Sequence, residues 1–498
     1  MAVEAIRPAA APPRARAVPA RAFGLAALGL ALLALAAARV WLAAVQPLWF
    51  DEAWSLMAAT TPDWASLVHE ALTDVNAPLG YVLLRAWVGL AGASDLALRL
   101  PALAAIAAAG ALPLLWGAGL RREARLAWAV MIFAWWGVDG FLAGRAYGLL
   151  LALSTAQVIA FAELLRKPRL GTAFAWAALG ALAILTHYYA LIVTAVQGLS
   201  FLALRRREAL RCWPAALAFA PAFGWIAAHA PRLQAFAGAE VAWHPTVGPG
   251  LALAMTAATL QPSAPLLGLA VALGVLAAAG LSRAPAARLP PPMWIAAGAS
   301  AAALALTLVS GALHPSLTAR YLIPTVPGLL LGLVLCAAQT SRARLLLAGL
   351  AMVWLGAALR PDAFLRDLAS PSPYGFETAS EVLMRHGARD VVFAWDHEVT
   401  ALMPPPTLER LGSVFFRRAG YPVRVRPLVV RPGDDVNALA LAAASGPHPG
   451  LIWIYNRAGR TAARAHPPAI ARLDPRWRCE RIGDDTVGSL ACWRTPRA

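Results

Sequence analysis

Two adjacent carboxylates, Asp51 and Glu52, follow a long apolar segment that runs over residues 23–45. A bilayer takes about 20 apolar residues to cross, so the acids are expected at a membrane surface. Trp49 and Trp54 flank them, and Trp favours that interface. A carboxylate placed there can take a proton from a reacting hydroxyl as a general base. The pair is therefore the first candidate for chemistry.

The composition places the chain in a membrane. Of its 498 residues, 60% are hydrophobic and 14% are charged, and the mean hydropathy is +0.61. Soluble proteins carry about 25% charged residues. The formal charge of +17 comes almost wholly from Arg, because Lys167 is the single lysine. The Arg clusters lie in short loops between apolar segments, where the positive-inside rule explains them. No nucleic-acid partner is expected.

Further polar residues recur near the outer ends of the predicted helices. They are His69, Asp74, Asn76, Tyr81, Arg145, Tyr147, His187, Tyr188, Tyr189, His314, Arg320 and Tyr321. Ionisable groups at membrane depth are costly, so they usually mark function. Their joint placement on the side of Asp51 favours a common site.

Each of these residues also has a structural explanation. Asp51 can simply cap a helix over 52–59. Arg145 and Arg320 can snorkel at helix ends. The tyrosines can belong to an interfacial aromatic belt, and His187 can be a satisfied buried histidine.

Alternation of basic and polar loops predicts the topology. With the N-terminus inside, it gives about eleven crossings and places Asp51 and the C-terminal region outside. Residues 1–21 are expected to be a disordered cytoplasmic tail. The membrane domain would cover 22–361, with a first outer loop over 46–77, and an extracytoplasmic domain would cover 362–498.

Two apolar segments compete for the second crossing, 78–93 and 97–119. We favour 97–119 as the crossing and 78–93 as a juxtamembrane helix, and the opposite choice stays open. Residues 249–262 are a second candidate interfacial helix. The other crossings are expected near 126–138, 148–165, 171–186, 188–204, 212–229, 264–281, 293–312, 321–339 and 345–359.

After residue 361 the pattern changes to charged, alternating segments, which predict a small α/β domain. Helices are expected over 377–386, 436–444 and 462–473, and strands over 391–395, 451–455, 477–482 and 487–493. Cys479 and Cys492 would lie on successive strands, and a disulfide between them is plausible in an oxidising compartment.

Several motifs around these residues resemble a known enzyme family. They are Phe50-Asp51-Glu52-Ala53, Ala77-Pro78-Leu79-Gly80-Tyr81, Ser94-Asp95-Leu96-Ala97-Leu98-Arg99-Leu100-Pro101, Arg145-Ala146-Tyr147, Thr186-His187-Tyr188-Tyr189 and Arg320-Tyr321-Leu322-Ile323-Pro324. Over roughly residues 23–340 the chain resembles the polyprenyl-phosphate-sugar-dependent glycosyltransferases of the GT-C fold. It is nearest the branch of protein O-mannosyltransferases, lipid A aminoarabinose transferases and bacterial lipopolysaccharide glycosyltransferases. The fold implied is a mainly α polytopic bundle with interfacial helices and a C-terminal α/β domain.

The resemblance also implies roles for residues. Asp51 takes the place of the family's essential first-loop acid and Glu52 that of its neighbour, so both are catalytic candidates. The donor phosphate or sugar would contact Arg145, Tyr147, His187, Tyr188, Tyr189, Arg320 and Tyr321. The acceptor or the loop would contact His69, Asn76, Tyr81 and His314.

A metal site is not predicted. The family usually shows His-Pro-Pro-Leu-Tyr before its next helix, and this chain has Asn76 and Ala77 before Pro78 instead. A clear pair of a first-loop acid and a His, which binds metal in some relatives, is therefore missing. The sequence gives no firm indication of a cofactor, and a divalent metal stays an open alternative.

The implied reaction moves a hexose or pentose from a polyprenyl-phosphate donor to a hydroxyl or phosphate of a glycolipid, glycan or protein. It would take place on the periplasmic face of a bacterial inner membrane, with inversion at the anomeric carbon. Asp51 would be the base, and Arg145, Arg320 and His187 the cations that stabilise the leaving phosphate.

Two other functions stay open. A transporter or flippase of lipid-linked saccharides would use the same cations to bind phosphate, but no internal repeat typical of such proteins is evident. A polymerase or ligase of surface glycan is disfavoured by the first-loop acid pair.

Overall fold

The computed structural model describes residues 20–116, 119–136, 144–238, 245–282, 289–360, 375–431, 434–444, 446–456 and 467–495. A bundle of helices extends to residue 360, and a smaller domain with a β-sheet begins at residue 375. The predicted tail over 1–21 lies almost wholly outside the described residues, and so does the predicted domain boundary at 362.

The bundle is built from apolar helices, as the sequence predicts. Its α-helices are α1 (Ala20–Val45), α2 (Phe50–Ala59), α3 (Trp64–Thr73), α4 (Leu79–Ala91), α5 (Asp95–Leu115), α6 (Arg122–Phe133), α7 (Tyr147–Arg166), α8 (Leu170–Thr186), α9 (Ala190–Leu204), α10 (Arg206–Arg211), α11 (Ala220–Gly238), α12 (Pro249–Leu260), α13 (Pro265–Leu281), α14 (Pro291–Leu313), α15 (Val326–Ala338) and α16 (Ala343–Ala358). Two 3₁₀ helices, Trp213–Phe219 and Ala319–Thr325, lead directly into α11 and α15.

Several of these helices can cross a bilayer. Among the described residues, α1, α5, α7, α14 and the stretch Ala319–Ala338 are long and apolar enough to do so. Helices α12 and α13 meet at 82° and form one bent span or a re-entrant pair. The chain is therefore a multi-pass membrane protein, while the number of eleven crossings stays a prediction. Of the two segments that compete for the second crossing, α5 has 21 residues and α4 has 13. These lengths agree with the choice of 97–119, which forms most of α5, as the crossing.

The C-terminal domain is α/β, as predicted. Its five strands are β1 (Asp390–Asp396), β2 (Arg424–Leu428), β3 (Pro449–Asn456), β4 (Trp477–Gly483) and β5 (Val487–Arg494), in the order β2-β1-β3-β5-β4. Its helices are α17 (Phe376–Arg385), α18 (Pro405–Gly412), α19 (Val414–Arg418), α20 (Val436–Ala443) and α21 (Ile470–Leu473), with a 3₁₀ turn over Glu398–Leu402. Strands β2, β1 and β3 are parallel, whereas β5 and β4 are antiparallel.

The sequence analysis missed β2, α18 and α19. Strand β2 contains Pro427 and arginines, which obscured the strand pattern. Proline is tolerated at a sheet edge because no ladder hydrogen bond is needed on the open side, and β2 is an edge strand. The disulfide prediction is confirmed: Cys479 on β4 lies opposite Cys492 on β5, and the two are bonded.

The C-terminal domain packs on the segments that follow α1. The ring of Phe50 lies 4.4 Å from that of Trp395, centroid to centroid, and also contacts Phe376. These rings belong to one apolar core that α2 shares with α17, β1 and β3. The first loop is therefore enclosed between the bundle and this domain.

Candidate active site

Asp51 lies in the first turn of α2 but does not cap it. The helix begins at Phe50, and the residue that precedes it, Trp49, has an extended backbone. The Asp51 carboxylate instead points toward Arg320, with 3.6 Å between its Oδ2 and the arginine Nη1. Its side chain is 30% exposed, so water or a substrate can reach it. Asp51 is therefore not the cap of α2, although it lies in the first turn, where a carboxylate favours the helix dipole.

Glu52 has a different environment. Its side chain is 1% exposed and forms an ion pair with Arg99, whose Nε and Nη2 donate to the two carboxylate oxygens at 2.8 and 2.5 Å. The backbone N–H groups of Trp49 and Gly144 donate to the same oxygens. Burial raises the pKa of Glu52, and Arg99 opposes that shift. With both oxygens occupied, Glu52 is arranged to hold the loop in place.

Arg99 belongs to one of the motifs quoted above, but the sequence analysis assigned it no role in the site. Besides Glu52, it donates to three backbone carbonyls at the end of α1 and just after it, those of Ala43, Gln46 and Pro47. The last carbonyls of a helix have no partner within the helix, and Arg99 satisfies one of them, that of Ala43, together with two carbonyls that follow α1. The available signal was a single Arg inside the apolar α5, because such a charge needs a partner.

Arg145 reaches the same turn from a distant part of the chain. Its Nη1 lies within 3.2–3.4 Å of the Asp51 carbonyl oxygen, Ser55 Oγ and Tyr81 Oη. Tyr81 in turn donates to the carboxylate of Asp74. The guanidinium is therefore fixed beside the backbone of Asp51, as the proposed common site requires.

Arg320 lies among aromatic rings. Its guanidinium carbon is 5.7 Å from the ring centre of Tyr147, 5.8 Å from that of Tyr321 and 6.0 Å from that of Trp49. Cations at these distances are attracted by the ring faces. The ring of His187 lies 4.7 Å from that of Tyr321. The rings of Trp49, Tyr147 and Tyr321 thus surround the cation opposite Asp51.

A cavity opens next to these groups, between α4, α5 and α7. Its polar wall carries Ser55, Asn76, Tyr81, Arg145, Tyr147 and His187. Its apolar wall is formed by Leu83, Leu84, Leu98, Pro101, Leu149 and Leu150. The cavity therefore offers a cationic end and a hydrocarbon side to one ligand.

His187 is neutral in this setting. Burial, and then the charges of Arg320 and Arg145, lower its pKa to about 3. This pKa disfavours a charged imidazole near neutral pH, so the role of His187 as a third cation stays a prediction. It can still donate or accept a hydrogen bond through its ring nitrogens.

This shift predicts a pH dependence of stability. An unfolded histidine binds a proton near pH 6.5, whereas folded His187 does so near pH 3. As pH falls from 7 to 5, the unfolded state gains the proton first, so wild-type stability should fall by about 1–2 kcal/mol through this residue. His187→Asn should have a flatter melting-temperature curve over this range.

The matched control for this experiment is His69→Asn, because His69 is an exposed residue on α3. That variant should keep the wild-type slope. Equal slopes for wild type and His187→Asn would contradict the lowered pKa.

Other predicted site residues lie elsewhere. The hydroxyl of Tyr188 bonds to His229 Nδ1 at 2.5 Å and accepts from Trp225 Nε1. Tyr189 stacks on Tyr321 but its hydroxyl bonds to Ser316. His69 and His314 are exposed. The structure therefore joins Asn76, Tyr81, Arg145, Tyr147, His187, Arg320 and Tyr321 around Asp51, and leaves Tyr188, His69 and His314 outside this group.

The sequence analysis did not single out Ser55 or His229. Ser55 is one turn after Asp51, and its hydroxyl bonds to the Asp51 carbonyl. His229 is fully buried in α11 and contacts the Asp74 carbonyl oxygen at 2.8 Å. In the described part of the chain, no three His, Cys, Asp or Glu side chains converge as metal ligands do.

The polytopic helical bundle with its small C-terminal sheet domain has the GT-C fold. Solved structures of ArnT from Cupriavidus metallidurans share it. The structure bound to undecaprenyl phosphate is 12% identical with a TM-score of 0.56, and the apo structure is 13% identical with a TM-score of 0.58. Each comparison covers 96% of this chain and 100% of ArnT. No family model and no curated protein matches the sequence.

Proposed function

We propose that this protein is a membrane glycosyltransferase that moves a sugar from a polyprenyl-phosphate donor to an acceptor hydroxyl or phosphate. The observation that carries the proposal is the position of the Asp51 carboxylate, 3.6 Å from Arg320, in a turn whose backbone is contacted by Arg145. Arg145 also lines the neighbouring cavity with its apolar wall. One acid and two cations are the groups that this transfer needs.

The chemistry follows from the charges. The acceptor hydroxyl gives its proton to Asp51 while its oxygen attacks the anomeric carbon of the donor sugar. The bond from that carbon to the phosphate oxygen breaks, and the electron pair leaves with the phosphate. The phosphate diester thereby becomes a monoester and gains negative charge, which Arg145 and Arg320 stabilise. A single displacement inverts the configuration at that carbon.

The apolar wall of the cavity suits the lipid part of the donor. Leu83 on α4 is 45% exposed, so this wall extends to the outer surface of the bundle. A polyprenyl chain can lie there while its phosphate reaches Arg145. The ArnT structure bound to undecaprenyl phosphate supports a ligand of this class.

We place the site on the periplasmic face of a bacterial inner membrane. The basic loops favour the opposite, cytoplasmic side for the other ends of the helices. The Cys479–Cys492 disulfide supports this orientation, because disulfides persist in oxidising compartments. The donor sugar would be a hexose or a pentose, and the acceptor a glycolipid, a glycan or a protein.

The test uses purified protein in nanodiscs with radiolabelled undecaprenyl-phosphate sugars, one hexose and one pentose donor, and lipid A as acceptor. Release of undecaprenyl phosphate together with labelled acceptor is the expected result. In parallel, proteoliposomes with a fluorescent lipid-linked saccharide report on movement across the bilayer. Movement without release of undecaprenyl phosphate would establish the transporter alternative instead.

Arg320→Lys tests the role of the cation. Lysine keeps the charge but loses the planar fork that contacts two phosphate oxygens. Transfer by this variant should fall about tenfold in kcat/KM, since a bidentate charged contact is replaced by a single one. The measurement is the initial rate of undecaprenyl phosphate release.

Arg85→Lys is the matched control for Arg320→Lys. Arg85, on α4, also contacts the first loop, but its guanidinium donates to Thr61 and Pro62. It should keep the wild-type rate. Equal rates for the two variants would argue against phosphate binding by Arg320.

A further inference from the structure

The C-terminal domain contributes a carboxylate to the segment that carries Asp51. Glu377, in the first turn of α17, accepts a hydrogen bond from the backbone N–H of Leu48 through its Oε2, at 2.6 Å. Its other oxygen is bound by Arg418, which also pairs with Asp95 at the start of α5. The Glu377 side chain is 6% exposed. This contact therefore takes place in a buried interface between the two domains.

Neighbouring residues of the segment face in two directions. Leu48, through its backbone, and Phe50, through its ring on Trp395, contact the C-terminal domain. Trp49 and Asp51, which alternate with them, face Arg320. A displacement of Leu48 and Phe50 therefore shifts the ring and the carboxylate that face the cation.

The bundle holds the same segment from the other side. Arg99 binds the carbonyls of Ala43, Gln46 and Pro47, and it binds Glu52 just beyond Asp51. The connection from α1 to α2 is thus held at its carbonyls by a residue of α5 and at the Leu48 N–H by a residue of the C-terminal domain. Both contacts involve a charged group, and such hydrogen bonds are stronger than neutral ones.

We propose that Glu377 is a positioning residue of the active site, and that the C-terminal domain sets the distance between Asp51 and Arg320. This inference rests on the proposed transferase function, because Asp51 must be the group that acts on the acceptor. Glu377 itself does not contact substrate. It acts through Leu48 and the first turn of α2.

The alternative is that Glu377 only attaches the domain to the bundle. The chain offers a matched control, because Glu70 on α3 forms a second ion pair between the domains, with Arg410 on α18. Glu70 is 2% exposed, like Glu377, but it pairs with the Arg410 side chain, and its helix does not carry Asp51. Glu377→Gln and Glu70→Gln therefore make the same chemical change at two interdomain contacts.

The first measurement is steady-state transfer from undecaprenyl-phosphate sugar. Glu377→Gln should lower kcat about tenfold or more, since small misplacements of a reacting group are costly, and leave the donor KM near the wild-type value. Glu377→Asp, which keeps the charge for the flexible Arg418 but is too short to reach the Leu48 N–H, should show the same loss. Glu70→Gln should keep the wild-type kcat.

The second measurement does not depend on activity. Hydrogen–deuterium exchange of the peptide over residues 46–57 should become about tenfold faster in both Glu377 variants. In Glu377→Asp the buried Leu48 N–H loses its acceptor, and in Glu377→Gln a single amide oxygen must serve both Arg418 and the Leu48 N–H. In Glu70→Gln this peptide should exchange as in wild type. This comparison remains valid if the wild-type protein proves to have no transferase activity. Failure of the proposed transferase function can therefore be told apart from failure of the proposed role of Glu377.

Two results would overturn the positioning role. One is wild-type exchange over residues 46–57 in both Glu377 variants. The other is an equal loss of kcat in Glu70→Gln and Glu377→Gln, which would show that any weakening of the domain interface has the same effect.

Discussion

Asp51→Asn is expected to lower kcat for sugar transfer by about 10²–10⁴, the usual contribution of a general base. Asparagine has the same shape but cannot take the acceptor proton. The fold should be retained, because the ion pair with Arg320 is partly exposed and such pairs contribute at most about 1 kcal/mol. The measurement is the single-turnover rate with saturating undecaprenyl-phosphate sugar.

The control for this variant is Asp63→Asn. Asp63 is the N-cap of α3, where its side chain accepts from the Ser66 N–H, and asparagine caps a helix as well as aspartate does. It should have wild-type activity. If Asp51→Asn kept a rate close to that of Asp63→Asn, another residue would have to be the base.

Arg99→Met is expected to give the largest loss of stability, about 3–5 kcal/mol, because it leaves the buried Glu52 carboxylate without its counter-ion. Three carbonyls at the end of α1 lose their donor in the same variant. The melting temperature and the monodisperse fraction in detergent measure this loss. The double variant Glu52→Gln, Arg99→Met should recover part of it, because no buried charge is left.

Arg166→Met is the comparison for Arg99→Met. It breaks an ion pair with Glu163 in which the two side chains are 42% and 21% exposed, and it should lose only about 0–1 kcal/mol. Equal melting temperatures for the two variants would mean that the Glu52–Arg99 pair does not hold the loop.

Much of the fold could be predicted from sequence because apolar length and loop charge are local properties. Segments such as 148–165 and 293–312 were predicted within two residues of α7 and α14. Strand β2 was not predicted, since it forms by pairing with β1 and its own residues have little strand pattern. The angle of 82° between α12 and α13 is likewise set by tertiary packing, and the local sequence pattern does not predict it.

The site was predictable where a polar residue interrupts an apolar segment. Asp51, Arg145, His187 and Arg320 are candidates on this ground, because ionisable residues near membrane helix ends are costly and usually mark function. The identity of partners was not predictable. Glu52 and Arg99 are 47 positions apart, and Leu48 and Glu377 are 329 apart. The lowered pKa of His187 also depends on its burial and then on two arginines that are distant in sequence.

The contacts of Arg99 have a consequence for how such a chain can diverge. The Arg99 guanidinium joins the end of α1 to Glu52 on α2, so the position of α1 along the membrane normal fixes that of Asp51. Insertions or deletions between residues 45 and 51 would change this distance, whereas substitutions on the lipid-facing surface of α1 would not. The number of residues in this short connection should therefore be under tighter constraint than most of their identities.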